Sequence, residues 1–273
     1  PLEILVHGVG EDQGVLADGA RRIVLARTAP DRYAASAADT TLSRRGNRVD
    51  VRLDGRRVAW LSDASGEYEL YVANQDGSGE PRQLTTGGDT WRFPPAWSPD
   101  SSKLAWGDKR QRLYYIDVAS GDVTEVDHTD RNDITDYSWS ADSAHLAYVK
   151  NNAANVSNIW LYSLADGSKT QLTSGDSDDA NPMFDPKGRY LYFLSRRDFN
   201  LTFSDRDDNR IYTDSGRVFA GLLRPDAPGL LLPKSDEVAL EGEAENAETT
   251  DDDFGIVPEG FEQRVTAIDT GRG

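Results

Sequence analysis

Three histidines, His7, His128 and His145, are the only imidazoles in a chain of 273 residues that has no cysteine. A Ser-His-Asp device would have to use one of them. No G-x-S-x-G nucleophile elbow accompanies them, and His145 sits where a turn runs into a strand, the place of an ordinary solvated polar residue. No catalytic residue is therefore assigned. The lack of cysteine removes disulfides, thiolate zinc sites and cysteine nucleophiles together. Asp205-Arg206-Asp207-Asp208-Asn209 begins like a calcium loop, but Arg210 stands where the tight turn needs glycine and Gly216 where the bidentate glutamate belongs. The sequence implies no metal and no cofactor.

The remaining candidates are basic. Arg110, Arg112, Arg196 and Arg197 fall at turns between strand-like segments, and a guanidinium pairs with a carboxylate through a two-pronged fork. They are the candidate ligand-contacting residues, able to meet a carboxylate. The chain as a whole carries a formal net charge of -17, which argues against nucleic-acid and membrane partners, since both need Lys and Arg to displace counterions. Nine acids crowd into residues 236–253, so about half of that excess lies in one segment, read as solvated chain rather than a cation site. No stretch approaches the roughly 18 apolar residues of a membrane span. The chain opens at Pro1 without a leader-like pattern and reads as a segment of a longer protein.

A repeat positions these residues. Ala96-Trp97-Ser98-Pro99-Asp100 leads into Leu104-Ala105-Trp106. Tyr137-Ser138-Trp139-Ser140-Ala141-Asp142 leads into Leu146-Ala147-Tyr148, and Phe184-Asp185-Pro186 into Tyr190-Leu191-Tyr192-Phe193. An earlier copy survives as Asp54-Gly55-Arg56-Arg57-Val58-Ala59-Trp60. The anchors Trp60, Trp106, Tyr148 and Phe193 are 46, 42 and 45 residues apart, the length of one four-stranded propeller blade. Asp185-Pro186-Lys187-Gly188 has the residues of a type I turn, so it joins two antiparallel strands. A third strand follows in each copy, as in Asn158-Ile159-Trp160-Leu161-Tyr162. A Gly-bearing turn and a short outer strand such as Thr170-Gln171-Leu172-Thr173 complete the unit.

The expected fold is all-β, a β-propeller of four-stranded antiparallel blades forming an incomplete ring, because a single blade cannot bury both of its faces. Residues 1–50 form a poorly patterned stretch, readable as a degenerate blade or as unrelated sequence, with Arg22-Ile23-Val24-Leu25-Ala26 its one plausible strand. Residues 51–225 carry the blades, and 226–260 read as an acidic loop or linker. Residues 261–273 read as the first strand of a following blade.

Gly66-Glu67-Tyr68-Glu69-Leu70-Tyr71-Val72, Gly79-Glu80-Pro81-Arg82-Gln83-Leu84-Thr85 and Trp97-Ser98-Pro99-Asp100-Ser101 resemble the repeats shared by TolB and tricorn proteins. Arg112-Leu113-Tyr114-Tyr115-Ile116-Asp117, Arg189-Tyr190-Leu191-Tyr192-Phe193-Leu194-Ser195-Arg196-Arg197 and Gly260-Phe261-Glu262-Gln263-Arg264-Val265 look specifically like tricorn-type protease, whose seven-bladed propeller this segment resembles. The resemblance implies a non-catalytic propeller of a cytoplasmic serine peptidase, a hydrolase whose catalytic residues lie in other domains. It further implies a role in filtering or channelling peptides, with Arg110, Arg112, Arg196 and Arg197 as peptide-contacting residues lining a pore, the parent's remaining domains as partners and homo-oligomeric assembly of the whole. Two alternatives are a TolB-like periplasmic protein-binding propeller and the propeller cap of a prolyl-oligopeptidase-like hydrolase.

Overall fold

The computed structural model describes residues 57–197 except 64, 75–77 and 176, residues 216–229 except 228, and residues 255–268. Within 3–53 and 201–212 it describes only the backbones of strands. The described chain is almost entirely β and divides into two compact units, residues 1–135 and 136–273.

Unit 1 opens with five strands, β1 (Glu3–Leu5), β2 (Gln13–Asp18), β3 (Arg21–Ala29), β4 (Arg32–Ala37) and β5 (Thr40–Arg45), paired antiparallel in chain order. Where the sequence offered one strand, the backbone forms a five-stranded meander. Two four-stranded meanders follow in this unit. The first is β6 (Arg52–Leu53), β7 (Arg57–Ser62), β8 (Glu69–Asn74) and β9 (Arg82–Gln83). The second is β10 (Ala96–Trp97), β11 (Lys103–Gly107), β12 (Arg112–Asp117) and β13 (Val123–His128).

Unit 2 holds β14 (Tyr137–Trp139), β15 (His145–Asn151), β16 (Ser157–Ser163) and β17 (Lys169–Gln171) in one sheet. A second sheet contains β18 (Asp179–Phe184) and β19 (Tyr190–Ser195); a separate hairpin, β20 (Leu201–Phe203) and β21 (Arg210–Tyr212), is inserted in sequence before β22 (Arg217–Leu222). The fourth strand of that sheet is β23 (Val265–Ala267), which pairs with β22 through Phe219↔Ala267 and Gly221↔Val265. This corrects the expectation that 261–273 open a following blade: the segment closes the sheet before it. Phe261, which is buried, packs over Gly221, where a Cβ would lie 2.2 Å from the ring.

The four anchors fall where the period put them, each on the second strand of its sheet. Each faces an aromatic on the third strand: Trp60↔Tyr71, Trp106↔Tyr114, Tyr148↔Trp160 and Phe193↔Phe219. Such cross-strand pairs contribute to sheet stability beyond the area they bury. The anchors are 0–2% exposed. The second strands β7 and β11 are buried on both faces, which is why they read as apolar runs rather than strict alternation. Within unit 1, Trp106 and Leu104 pack back against Ala59, Leu61, Leu70 and Val72 of the preceding sheet. Within unit 2, Leu191 and Phe193 pack back against Ala147, Ile159 and Leu161 in the same way. The small residue before the anchor, Ala59 or Ala147, admits the next sheet's aromatic. In the last sheet Tyr192 takes that place, and on the same face Met183 and Leu194 are exposed.

The turn from first to second strand is also shared. Ser101 (φ 61), Ser143 (φ 60) and Gly188 (φ 68) all adopt left-handed backbone at its fourth position. The amide of each donates to the carbonyl of Ser98, Ser140 or Asp185 at 2.8–2.9 Å. Gly188 fills this position without strain, whereas the two serines adopt it at a steric cost.

Candidate functional site

In unit 1 the two blade sheets meet through a polar cluster beneath a loop. Glu69 opens β8 with its carboxylate buried, accepting from the Gly88 amide and the Thr85 hydroxyl at 2.5 Å each and pairing with Arg92 at 2.9 Å. Thr85 Oγ1 accepts in turn from the Leu70 amide at 2.9 Å and from Arg92. The loop can approach this closely because position 88 is glycine: a Cβ there would sit 2.9 Å from both Glu69 Oε1 and the Tyr68 carbonyl. Arg92 lies over the Trp106 ring at 5.6 Å. Burial weakens its hold on its proton, and the charges of Glu69 and Asp108 oppose that shift.

Asp108 follows β11 and organises the tight turn into β12. Its Oδ1 accepts the amides of Arg110 and Arg112 at 2.9 and 3.1 Å, while Oδ2 takes the guanidinium of Arg112 at 2.6–2.9 Å. That hydrogen bond is the main reason the Arg112 proton is held more tightly than usual. Arg112 also lies over Tyr114, whose hydroxyl is pushed up to about 12 chiefly by burial. Arg110 points outward, 56% exposed, and meets the half-exposed Asp89 at 3.0 Å. Arg92, Trp106, Asp108, Arg112, Tyr114 and the 84–90 loop wall a cavity of about 390 Å³.

In unit 2, Arg197 donates two bonds to the buried Asp179 at 3.1 Å and one to Ser195 at 2.9 Å, and it lies over both Phe193 and Phe219 at 5.2–5.3 Å. Glu262, in the one-turn 3-10 helix Glu262–Arg264, accepts from the Ser174 hydroxyl at 2.6 Å and stands 3.8 Å from Arg197. Arg196 is 69% exposed and reaches Asp178 only at 4.0 Å.

The four candidate arginines therefore divide by accessibility. Arg112 and Arg197 are committed to the nearly buried carboxylates of Asp108 and Asp179, and moving either would strand a buried charge. Arg110 and Arg196 have half-exposed partners, and an exposed ion pair exchanges partners at little cost. The sequence reading missed Glu69, Arg92 and Asp108. The sequence signal was slight: Glu69 stands beside the apolar run Leu70-Tyr71-Val72, and a carboxylate buried there requires a donor set.

His128 lies 3.4 Å from Glu125, and His145 3.7 Å from Asp142; neither imidazole is hydrogen-bonded to a serine side chain. His7, the 205–209 segment and the acidic run at 236–253 lie outside the described residues. Among the described residues no three His, Asp or Glu side chains gather as a metal-binding group, and no helix is long and apolar enough to cross a membrane.

Comparison with known proteins agrees with this architecture. The family model for the tricorn protease second beta propeller domain matches residues 38–272. A tricorn protease homologue of Streptomyces coelicolor is 27% identical over 187 residues, covering 67% of this chain and 18% of its own length. A TolB homologue of Chlorobium chlorochromatii is 30% identical over 146 residues, 52% of this chain and 32% of its own. The crystal structure of the tricorn protease superposes with a TM-score of 0.67 at 16% identity, covering 94% of this chain and 29% of that one. The chain thus spans less than a fifth of the tricorn homologue. A four-stranded blade repeated at the anchor spacing and a family match that takes in all four blade sheets lead to one conclusion: this chain belongs to the family of the tricorn protease second β-propeller domain.

Proposed function

We propose that the chain is the non-catalytic propeller segment of a tricorn-like serine peptidase, supporting the protease and filtering or channelling peptides toward an active site outside this chain. The observation that carries this reading is the family match over 38–272, which takes in residues of both units of the chain. In this role the segment contributes surface rather than covalent chemistry. Arg110 and Arg196 act as the exposed guanidinium groups that meet peptide carboxylates, with Arg112 and Arg197 fixing the turns that present them. The parent is a cytoplasmic hydrolase that assembles with itself.

The test uses the full-length protein that contains this segment and peptides of increasing length with free or amidated C-termini. The expected result is that Arg110→Ala and Arg196→Ala lower kcat/KM several-fold for free C-termini and leave amidated peptides unchanged. Unchanged turnover of both forms, including in an Arg196→Ala/Arg197→Ala variant, would remove the arginines from the reading. Loss of length dependence in the wild type would remove the filter. The similarity to a TolB homologue favours one competitor, a propeller that docks a protein partner. That reading predicts stoichiometric capture of a folded protein and no response to peptide length.

A further inference from the structure

The cavity in unit 1 presents both signs of charge around one space. Arg92, Arg110 and Arg112 are matched by Glu69, Asp89 and Asp108 in and around its wall, so the site is close to neutral and a singly charged guest gains little from it. The two signs differ in accessibility. Arg92 is held from behind by Glu69 and Thr85 and from the side by the Trp106 ring; its remaining N–H donors have no acceptor among the described residues. Asp89 sits on the rim, half exposed, and is paired with the exposed Arg110 at 3.0 Å and with Arg112 at 3.5 Å. A fixed guanidinium inside and an exposed carboxylate at the rim suit one guest that carries the opposite pair.

We propose that this cavity binds a small zwitterion, with its carboxylate on Arg92 and its ammonium on Asp89. A volume of about 390 Å³ is at the lower end of ligand sites, enough for an amino acid or a dipeptide but not a folded partner. Leu84 and Val123 supply apolar wall beside the charges, suited to an aliphatic side chain. The feature is particular to this joint: in unit 2 the position of Glu69 is taken by Asn158, whose partners are Asn152 and Gln171. A free amino acid and a short peptide share the required chemistry and differ in the separation of their two ends. The proposal does not depend on the peptidase reading, since it is measured as binding rather than turnover.

The experiment is calorimetric titration of the intact protein with leucine and with leucyl-glycine, each also in N-acetylated and C-amidated form. Saturable binding of leucine or of leucyl-glycine is expected, and the better ligand identifies the source. Blocking either end should weaken it at least tenfold. Asp89→Asn should weaken the free ligand about tenfold and leave the N-acetylated form unchanged. Arg92→Lys, which keeps the charge and loses the fork, should weaken the free and N-acetylated forms alike. Thr90→Trp, at a half-buried position of the cavity wall, is intended to fill the cavity with Glu69 and Arg92 both kept, and should abolish binding in a protein with an unchanged unfolding midpoint. No saturable binding, or binding indifferent to end-blocking and to Thr90→Trp, overturns the proposal.

Discussion

Thr85 in unit 1 and Thr173 in unit 2 do the same work. Each follows a Gln-Leu pair, each hydroxyl accepts the third-strand amide of Leu70 or Ile159 at 2.9 Å, and each glutamine returns to the threonine carbonyl at 2.8–2.9 Å. Beneath this shared hydroxyl the joints diverge. Unit 1 places a buried glutamate there and must supply Arg92, a hydroxyl and a loop amide to hold it. Unit 2 places Asn158 there, an uncharged group whose Oδ1 accepts from Asn152 and Gln171 while its Nδ2 is buried without a partner among the described residues, and moves its buried charge to Asp179, where Arg197 closes over it. The repeat fixes where a polar group is required but leaves its charge open, so each joint can be specialised while the sheets remain alike. The charged joint lines a cavity, and that is where binding chemistry has room to develop.

The largest effect should come from breaking the charged joint on one side only. Arg92→Ala strands Glu69 as a buried charge without its counter-charge and is expected to cost about 3–5 kcal/mol in denaturant unfolding, whereas Asn158→Ala should cost only about 1–2 kcal/mol. Glu69→Gln combined with Arg92→Met should recover much of the first loss. Equal losses at the two joints would mean that the difference in charge has no energetic consequence.

The arginines of unit 2 sharpen the same contrast at a smaller scale. Arg197→Ala removes two bonds to buried Asp179 and the cover over two phenylalanine rings, an expected loss of about 3 kcal/mol. Arg196→Ala, next to it and exposed, should stay within about 0.5 kcal/mol. Similar values for the two would contradict the division into fixed and accessible guanidinium groups.

The smallest effect concerns pH. Burial alone would raise the Asp100 carboxyl, but hydrogen bonds from Ser98 and Ser102 outweigh it and lower the group from 3.8 to about 2. A carboxyl whose pKa is depressed on folding stabilises the protein above its unfolded value, and that contribution is lost as pH falls through the folded one. Asp100→Asn should therefore reduce stability at neutral pH by less than about 1 kcal/mol, given how exposed the group is, and the difference should vanish between about pH 4 and pH 2. A difference that grows on acidification contradicts this.

Much of the architecture was legible because one blade imposes one pattern. Trp60, Trp106, Tyr148 and Phe193 mark second strands, since each is a large aromatic buried against a cross-strand aromatic at the same place in its sheet. The turn at Gly188 was legible from its residue types, whereas Ser101 and Ser143 take the same left-handed backbone without a glycine to announce it. The parts Asp108 and Asn152 play in holding their turns were missed for a related reason. Each side chain accepts two amides of its own turn, a local bond that leaves no periodic trace in sequence. The last sheet was misread because its fourth strand follows its third only after residues 223–264. Pattern along the chain cannot report a pairing across such a gap, although Gly221 inside β22 hinted that a bulky group, Phe261, comes close.

Native-state hydrogen exchange of the intact protein tests the repeating architecture most directly. The account predicts that the slowest amides fall in four separated clusters, in β7, β11, β15 and β19, with the exposed outer strands β9 and β17 exchanging far sooner. Protection gathered in a single region, or outer strands as slow as the anchor strands, would contradict it.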